Sequence, residues 1–404
     1  MKTYLVGGAV RDALMGLPVR DRDWVVVGAT PQQMLDQGFT QVGRDFPVFL
    51  HPTSKEEYAL ARTERNTAPG YRGFSVHAGP GVTLEEDLAR RDLTINAIAL
   101  TADHDLPASS LRTDDLIDPF HGQRDIRDKV LRHVTPAFTE DPVRILRVAR
   151  FAARFADFDV APETMELMGS MVNAGDVDHL VAERVWQELA RGLMEHQPRR
   201  MFAVLRACGA LAHLLPELDR GWDEPSGVHI LQSLQVAAQR HSHLAVRFAL
   251  LMHGLQGDST NASPSDPSHG NAPVAQSALL DIAQRLRVPT ECTELAEVTL
   301  RELAAIHHSM ELGASGLLDL LERCDAIRRS TRFADLLEVA ECDHLAEAPS
   351  PFTIRQRLAQ ALERVLAMPT QPVAQRAMAQ GAKGPKIGEA IRQARLAVLE
   401  ETLP

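Results

Sequence analysis

The chain has too few cysteines, too scattered, for a disulfide framework or a zinc site: Cys208, Cys292, Cys324 and Cys342 show no paired spacing. No run approaches the ~20 consecutive apolar residues of a membrane span. The opening MKTYLVGGAVRD turns to Gly, Arg and Asp after a short apolar run, which does not build a signal peptide. No period of the solenoid kind repeats. An excess of positive charge is missing as well. Lys and Arg number 43 against 54 Asp and Glu, a formal net charge of −11, which excludes a featureless basic coat for nucleic acid. These absences point to a soluble cytoplasmic protein without a membrane partner.

What is present is length and texture. The 404 residues, 45% of them hydrophobic, can bury sizeable cores in two to four domains at roughly 100–200 residues each. Up to about residue 138, short apolar runs (Tyr4–Val6, Trp24–Val27, Val48–Leu50) alternate with helix-like segments and glycine-rich turns. From Asp141 onward, long amphipathic patterns rich in Ala, Leu, Arg and Glu dominate. The expected fold is α+β. A mixed α/β head over 1–138 precedes an all-helical remainder, divided into a neck (139–225), a body (226–345) and a tail (346–404). Gln256–Ser277, rich in Ser, Pro, Asn and Asp, reads as a surface loop. MPTQPVAQ, after Ala367, separates a short C-terminal element. Charge is uneven: residues 1–150 hold 19 Lys and Arg against 21 Asp and Glu, and Arg144, Arg147, Arg150 and Arg154 cluster. A local phosphate-binding strip is therefore compatible with overall acidity.

The strongest local signal runs from Gly7 to Gly28, GGAVRDALMGLPVRDRDWVVVG. A strand leads into Gly7-Gly8 and a helix begins near Val10. Glycines at such a turn let backbone N–H groups approach an anion, and the helix dipole favours one. Arg11 in the first turn can reach a phosphate oxygen. Asp21 and Asp23 lead into the next strand, where period-two geometry puts both carboxylates on one face, roughly 6–7 Å apart. Two carboxylates so placed can share a pair of Mg²⁺ ions, the arrangement used for in-line displacement at phosphorus. An isolated D-x-D is more often a solvated strand edge; the upstream Gly-Gly-x-x-Arg-Asp turn reverses that balance.

The segment resembles the signature of the class II tRNA nucleotidyltransferases, the bacterial CCA-adding enzymes and their relatives the poly(A) polymerases. The likeness continues in order through Arg90-Arg91-Asp92-Leu93-Thr94-Ile95-Asn96-Ala97, Asp118-Pro119-Phe120-His121-Gly122, Glu140-Asp141-Pro142-Val143-Arg144-Ile145-Leu146-Arg147 and Glu183-Arg184-Val185-Trp186-Gln187-Glu188. It implies template-independent addition of C, C and A to the 3′ end of tRNA from CTP and ATP. It implies Asp21 and Asp23 as the catalytic pair on two Mg²⁺ ions, and Gly8, Arg11 and Arg91 as phosphate and ribose contacts. Ala61-Arg62-Thr63-Glu64 is similar to a family strand; Glu64 could be a third carboxylate or half of a cross-strand ion pair. Arg62 and Arg65 could line the surface as easily as touch triphosphate.

Asp141-Pro142 reads as a helix start, with Asp at the N-cap and Pro at the first helical position. Arg144, Arg147 and Arg150 then follow along one side. Cytosine and adenine both present an amino donor beside a ring-nitrogen acceptor, whereas uracil and guanine present the reverse. A carboxylate beside a guanidinium therefore accepts C or A and rejects U or G. The wrong base leaves a buried charge unpaired, at a cost on the order of several kcal/mol. The resemblance assigns this to Asp141 and Arg144, with Arg147 holding triphosphate or base from the same side.

Further on, Gly227-Val228-His229 and Leu250-Leu251-Met252-His253-Gly254 resemble the start of an HD phosphohydrolase domain. That domain needs Asp after the second His, and Gly254 stands there. Asp258 is out of register, His269 lies in the polar loop, and His307-His308 could as easily be a surface pair as metal ligands. The expectation is a helical scaffold without hydrolase chemistry. Lys383 and Lys386, among glycines before a helix expected from about Glu389, fit either an RNA phosphate contact or an ordinary loop. Rival readings are a poly(A) polymerase, an enzyme adding only A or only C, and a non-catalytic RNA binder. The C-terminus LAVLEETLP lacks an extended basic tail, which favours tRNA.

Overall fold

The computed structural model describes residues 1–42, 48–66, 74–101, 115–223, 225–256 and 272–401. It divides into two compact units, Met1–Gly192 with Arg200–Leu214, and Leu193–Arg199 with Leu215–Pro404.

The first unit opens with β1 (Lys2–Val6), α1 (Gly8–Leu14), β2 (Asp23–Val27), α2 (Pro31–Asp36), β3 (Thr40–Val42), β4 (Val48–Leu50) and β5 (Glu57–Leu60). A hairpin, β6 (Arg62–Asn66) with β7 (Phe74–Ala78), precedes α3 (Leu84–Ala89), β8 (Ala99–Thr101) and β9 (Leu116–Ile117). The seven-stranded sheet has the order β3-β4-β5-β2-β1-β8-β9. The central strand β2 runs antiparallel to β1 and parallel to β5, and β1 is antiparallel to both of its neighbours. The run Tyr4-Leu5-Val6 is continuous because β1 is covered on both faces. Tyr4 and Val6 pack with Val25, Leu88 and Ala99, while Leu5 packs with Ala9, Val10 and Ile98 on the other side.

Next come α4 (Gly122–Asp128), β10 (Val130–Leu131), α5 (Val143–Arg154) and β11 (Asp159–Val160). The helices α6 (Pro162–Asn173), α7 (Ala182–Leu193), α8 (Pro198–Ala207) and α9 (Ala210–Leu214) follow. In α5, Val143, Ile145, Leu146, Val148, Ala149 and Ala152 are buried, an apolar side spaced for a helix facing a core. Asp141 still caps it: Val143 N donates to Asp141 Oδ1 (3.2 Å), although the regular helix starts one residue after the expected Pro142.

Among the described residues the second unit is all helical. It contains α10 (Pro216–Asp219), α11 (Pro225–Gln239), α12 (Leu244–His253), α13 (Ala272–Leu286), α14 (Thr290–His307), α15 (Ala314–Arg323) and α16 (Ser330–Glu347). It ends with α17 (Thr353–Ala367), α18 (Thr370–Ala379) and α19 (Pro385–Glu400). The helix α12, buried from Ala245 to Met252, packs chiefly on α14, and α11 on α16. Two boundaries move. α13 begins at Ala272, inside the expected loop, because Ala275 and Leu279 give its start an apolar side to bury. α19 starts at Pro385 rather than near Glu389, since proline suits a first helical turn and Gly384 takes the φ of 53° before it. Asp258 and His269 lie outside the described residues. No helix among the described residues is long and apolar enough to cross a membrane.

Candidate active site

β1 ends at Gly7, whose φ of 71° favours glycine. A Cβ there would also sit 2.9 Å from Arg91 NH1, so the missing side chain makes room for that guanidinium. The Gly7 N–H is spent on Ile98 O (3.3 Å), which leaves Gly8, the first residue of α1, to face the adjoining cavity.

That cavity has a volume of about 720 Å³, within the size range of small-ligand sites. Its walls carry eleven arginines against six carboxylates (Asp12, Asp21, Asp23, Glu57, Asp92 and Asp141), a local field suited to a polyanion despite the acidity of the whole chain. All the expected site residues (Gly8, Arg11, Asp21, Asp23, Arg91, Asp141, Arg144 and Arg147) line it.

Most of the arginines are braced. Arg11 is buried, donating from Nε and NH2 to Asp12 Oδ1 (2.8 and 2.7 Å) and from NH1 to Asn96 Oδ1 (2.5 Å). The Phe151 and Phe155 rings each lie 5.1 Å from it. Burial lowers its pKa, and Asp12 opposes that shift. Arg91 NH2 donates to Asp87 Oδ2 (3.2 Å), while its buried Nε has no hydrogen-bond partner among the described residues. Burial would raise the Asp87 carboxyl, but Arg90 and Arg91 outweigh it and hold the group below the usual carboxylate range. Arg147 donates from Nε to Asp92 Oδ2 (2.8 Å). Asp92, also opposed by burial, is held well down chiefly by Arg147 and by Asn96 Nδ2. The proximity of Asp92 in turn raises Arg147. Glu188 on α7 receives Arg150 Nε (2.6 Å).

Arg144 sits differently from the simple base-reading picture. Its NH1 donates to Ala137 O and its NH2 to Arg90 O (2.6 Å), and the residue is only 5% exposed. Asp141 is bonded by Arg184, which donates from NH1 to Oδ1 (3.1 Å) and from NH2 to Oδ2 (2.7 Å). The Glu-Arg motif at Glu183-Arg184 marked this residue without giving it a partner.

Asp21 and Asp23 are the contrast. Both are exposed at the cavity wall, and among the described residues neither takes a hydrogen bond or ion pair. Asp23 begins β2, while Asp21 precedes the strand. Opposite Asp23 in the parallel β2–β5 ladder stands Glu57, another cavity carboxylate. Sequence reasoning passed over Glu57 and weighed Glu64; Glu64 lies on β6, in the separate hairpin sheet, paired in register with Val76. The signal for Glu57 was its place at the start of a strand, legible only once β5 is known to neighbour β2. No group of three or more His, Cys, Asp or Glu side chains among the described residues forms a metal cage.

In the second unit His229 Nε2 and His307 Nε2 approach Asp343 Oδ1 and Oδ2 (2.8 and 2.9 Å). His307 is therefore half-buried and bonded, not half of a surface pair; only His308 is exposed. Burial would raise Asp343, but the two histidines outweigh it and hold the carboxyl well below its usual range. The hydrogen bond to Asp343 raises His229.

Residues 3–132 match the family model described as the poly A polymerase head domain, and residues 157–221 the model described as the probable RNA and SrmB-binding site of polymerase A. The chain is 57% identical to a protein of Variovorax paradoxus named multifunctional CCA protein, covering 98% of each chain. It is 56% identical to the protein of the same name from Polaromonas naphthalenivorans, covering 100% of this chain and 98% of the other. In fold it is similar to a CCA-adding enzyme solved without ligand (TM-score 0.68, 21% identity, 99% of this chain and 91% of that one). It is also similar to the Bacillus stearothermophilus CCA-adding enzyme in complex with CTP (TM-score 0.63, 24% identity, 99% and 89%).

Proposed function

The chain belongs to the class II tRNA nucleotidyltransferases, the bacterial CCA-adding enzymes, and we propose from that membership how its own residues add C, C and A to the 3′ end of tRNA. The observation that carries the proposal is the pair of carboxylates Asp21 and Asp23, unpartnered among the described residues, on the wall of a cavity rich in guanidinium groups. Such a wall suits a nucleoside triphosphate, CTP or ATP, with its phosphates toward Gly8, Arg11 and Arg91.

Asp21 and Asp23 fit Mg²⁺ as a donor set. They are hard oxygen ligands that pair with no cation among the described residues, and Mg²⁺ is commonly bound by one or two carboxylates together with substrate phosphates rather than by a closed cage. Two bound Mg²⁺ ions would supply activation of the attacking 3′-hydroxyl and neutralisation of the leaving pyrophosphate. Glu57 stands ready beside Asp23 as an additional carboxylate. The protein's own part is positioning: Asp12, Asn96 and the two phenylalanine rings fix Arg11, and Asp92 fixes Arg147, before substrate arrives.

For base choice, Asp141 accepts from the exocyclic amino group shared by C and A. Arg144 donates to the ring nitrogen by exchanging one of its backbone carbonyl partners, and Arg147 steadies the triphosphate. The working parts are the head over 1–138 and the neck over 139–225. The body over 226–345 is a scaffold and the tail over 346–404, with Lys383 and Lys386, contacts tRNA. The enzyme acts in the cytoplasm.

A labelled-tRNA extension assay tests this. Transcripts ending before CCA, after C and after CC are given each nucleotide singly and CTP with ATP. Stopping at CCA, refusal of UTP and GTP, and loss of incorporation in the Asp21→Ala/Asp23→Ala variant are expected. Long A tails would move the chain to poly(A) synthesis. No incorporation by folded wild type in Mg²⁺ would end the catalytic reading.

A further inference from the structure

A carboxylate offers about four lone-pair sites for hydrogen-bond donors. At Asp141 three donors are in place: Val143 N and Arg184 NH1 on Oδ1 (3.2 and 3.1 Å), and Arg184 NH2 on Oδ2 (2.7 Å). Among the described residues nothing else hydrogen-bonds this side chain. The two Arg184 bonds form a parallel fork, which fixes the plane of the carboxylate as well as its position. The Val143 N–H ties the same group to the first turn of α5. Asp141 and Arg184 both line the cavity, their side chains 18% and 30% exposed. What remains is one acceptor position, on Oδ2.

We propose that Arg184 is a positioning residue for base selection: its fork occupies and orients Asp141 so that a single acceptor site on Oδ2 is left for one amino N–H of the incoming base. The inference rests on the reading of Asp141 as the base-reading carboxylate. Arg184 itself need not touch the nucleotide. A carboxylate held by one short tether to α5 could turn, and a turned carboxylate could take the N–H of a uracil or guanine ring or a bridging water. The fork removes that freedom. Discrimination then follows from the number and direction of the acceptors left, since uracil or guanine sets a carbonyl oxygen where C and A present the amino group, and the lone pair there stays unsatisfied.

The test uses the full chain with Mg²⁺ and a tRNA transcript ending before CCA. It compares kcat/KM for CTP and for UTP in wild type, Arg184→Gln, Arg184→Lys and Asp141→Asn, with a thermal melt of each. Arg184→Gln is expected to lower the CTP-to-UTP ratio about tenfold or more. The loss should fall mainly on KM for CTP, with UTP use unchanged or improved. Arg184→Lys should land between, since an ammonium group cannot make the parallel fork. A merely structural role would depress CTP and UTP use together and leave the ratio alone, which overturns the proposal. Should Arg184→Gln not fold, the same ratio in Arg184→Lys decides. If Asp141→Asn lowers the ratio and the Arg184 variants do not, base reading by Asp141 stands and the positioning role falls. If Asp141→Asn also leaves the ratio unchanged, the base-reading premise itself is wrong.

Discussion

Asp23 and Asp343 are both carboxylates held by regular secondary structure, and they end in opposite electrical situations. Asp23, at the first residue of β2, is exposed on a cavity wall and takes no partner among the described residues. Asp343, near the C-terminal end of α16, is 9% exposed and holds a histidine on each oxygen. The first carboxylate has left its charge to something from outside; the second has spent it inside the unit. Charge left unpaired where the protein could have paired it marks a site, whereas saturated charge marks a scaffold.

Removing Asp21 and Asp23 together should separate activity from stability most widely. Incorporation of CMP should fall on the order of 1000-fold or more, while exposed positions leave the unfolding free energy within about 0.5 kcal/mol. Extension kinetics beside a chemical denaturation curve check both halves, and a large loss of stability would break the contrast. Asp343→Ala should do the reverse. It strips His229 and His307 of a shared partner and should destabilise the protein by roughly 2–3 kcal/mol, with incorporation per folded molecule unchanged. Activity normalised to the folded fraction would show whether the helical unit is as silent as its saturated charge implies.

Gly7→Ala sharpens the comparison from the head. The added Cβ meets both a φ of 71° and Arg91 NH1 at 2.9 Å. A cost of about 1–2 kcal/mol is expected, together with a higher KM for CTP as Arg91 is displaced; a stability loss without any change in KM would detach Arg91 from the nucleotide. The smallest effect is on pH. His229 is raised in the folded state, so its contribution is complete below about pH 6.5 and is lost as pH climbs through the higher folded value. Asp343 is depressed, so its contribution is present above about pH 3.9 and is lost as acid reaches the folded value. Stability from this network should be greatest between those limits, and should decline by less than about 1 kcal/mol on the alkaline side, since His229 is partly exposed. Urea midpoints from pH 5 to 8, wild type against His229→Gln, would show the slope in one protein and not in the other.

Legibility followed sequence distance. The Tyr4-Leu5-Val6 run, the Gly7-Gly8 turn, the paired aspartates before β2 and the Asp141 cap were readable because neighbours in the chain make them. Glu57 was passed over because its nearness to Asp23 depends on β5 lying parallel beside β2, a relation no local pattern states. Arg144 is near Asp141 in sequence and lines the same cavity, but that its guanidinium donates to the Ala137 and Arg90 carbonyls could not be read from the spacing. His307 shows the same limit, since a His-His pair carries no sign of a carboxylate one helix away.

The sequence by itself determined the α/β head, the helical remainder, the spacing of Asp21 and Asp23 and the family, because backbone preference, side-chain period and local chemistry act over a few residues. Only the tertiary structure decided which of eleven cavity arginines faces Asp141, and which carboxylates stay unpaired. Each guanidinium has several acceptors within reach of its flexible stem, and the choice among them is set by distances that exist only once the helices and the sheet have packed.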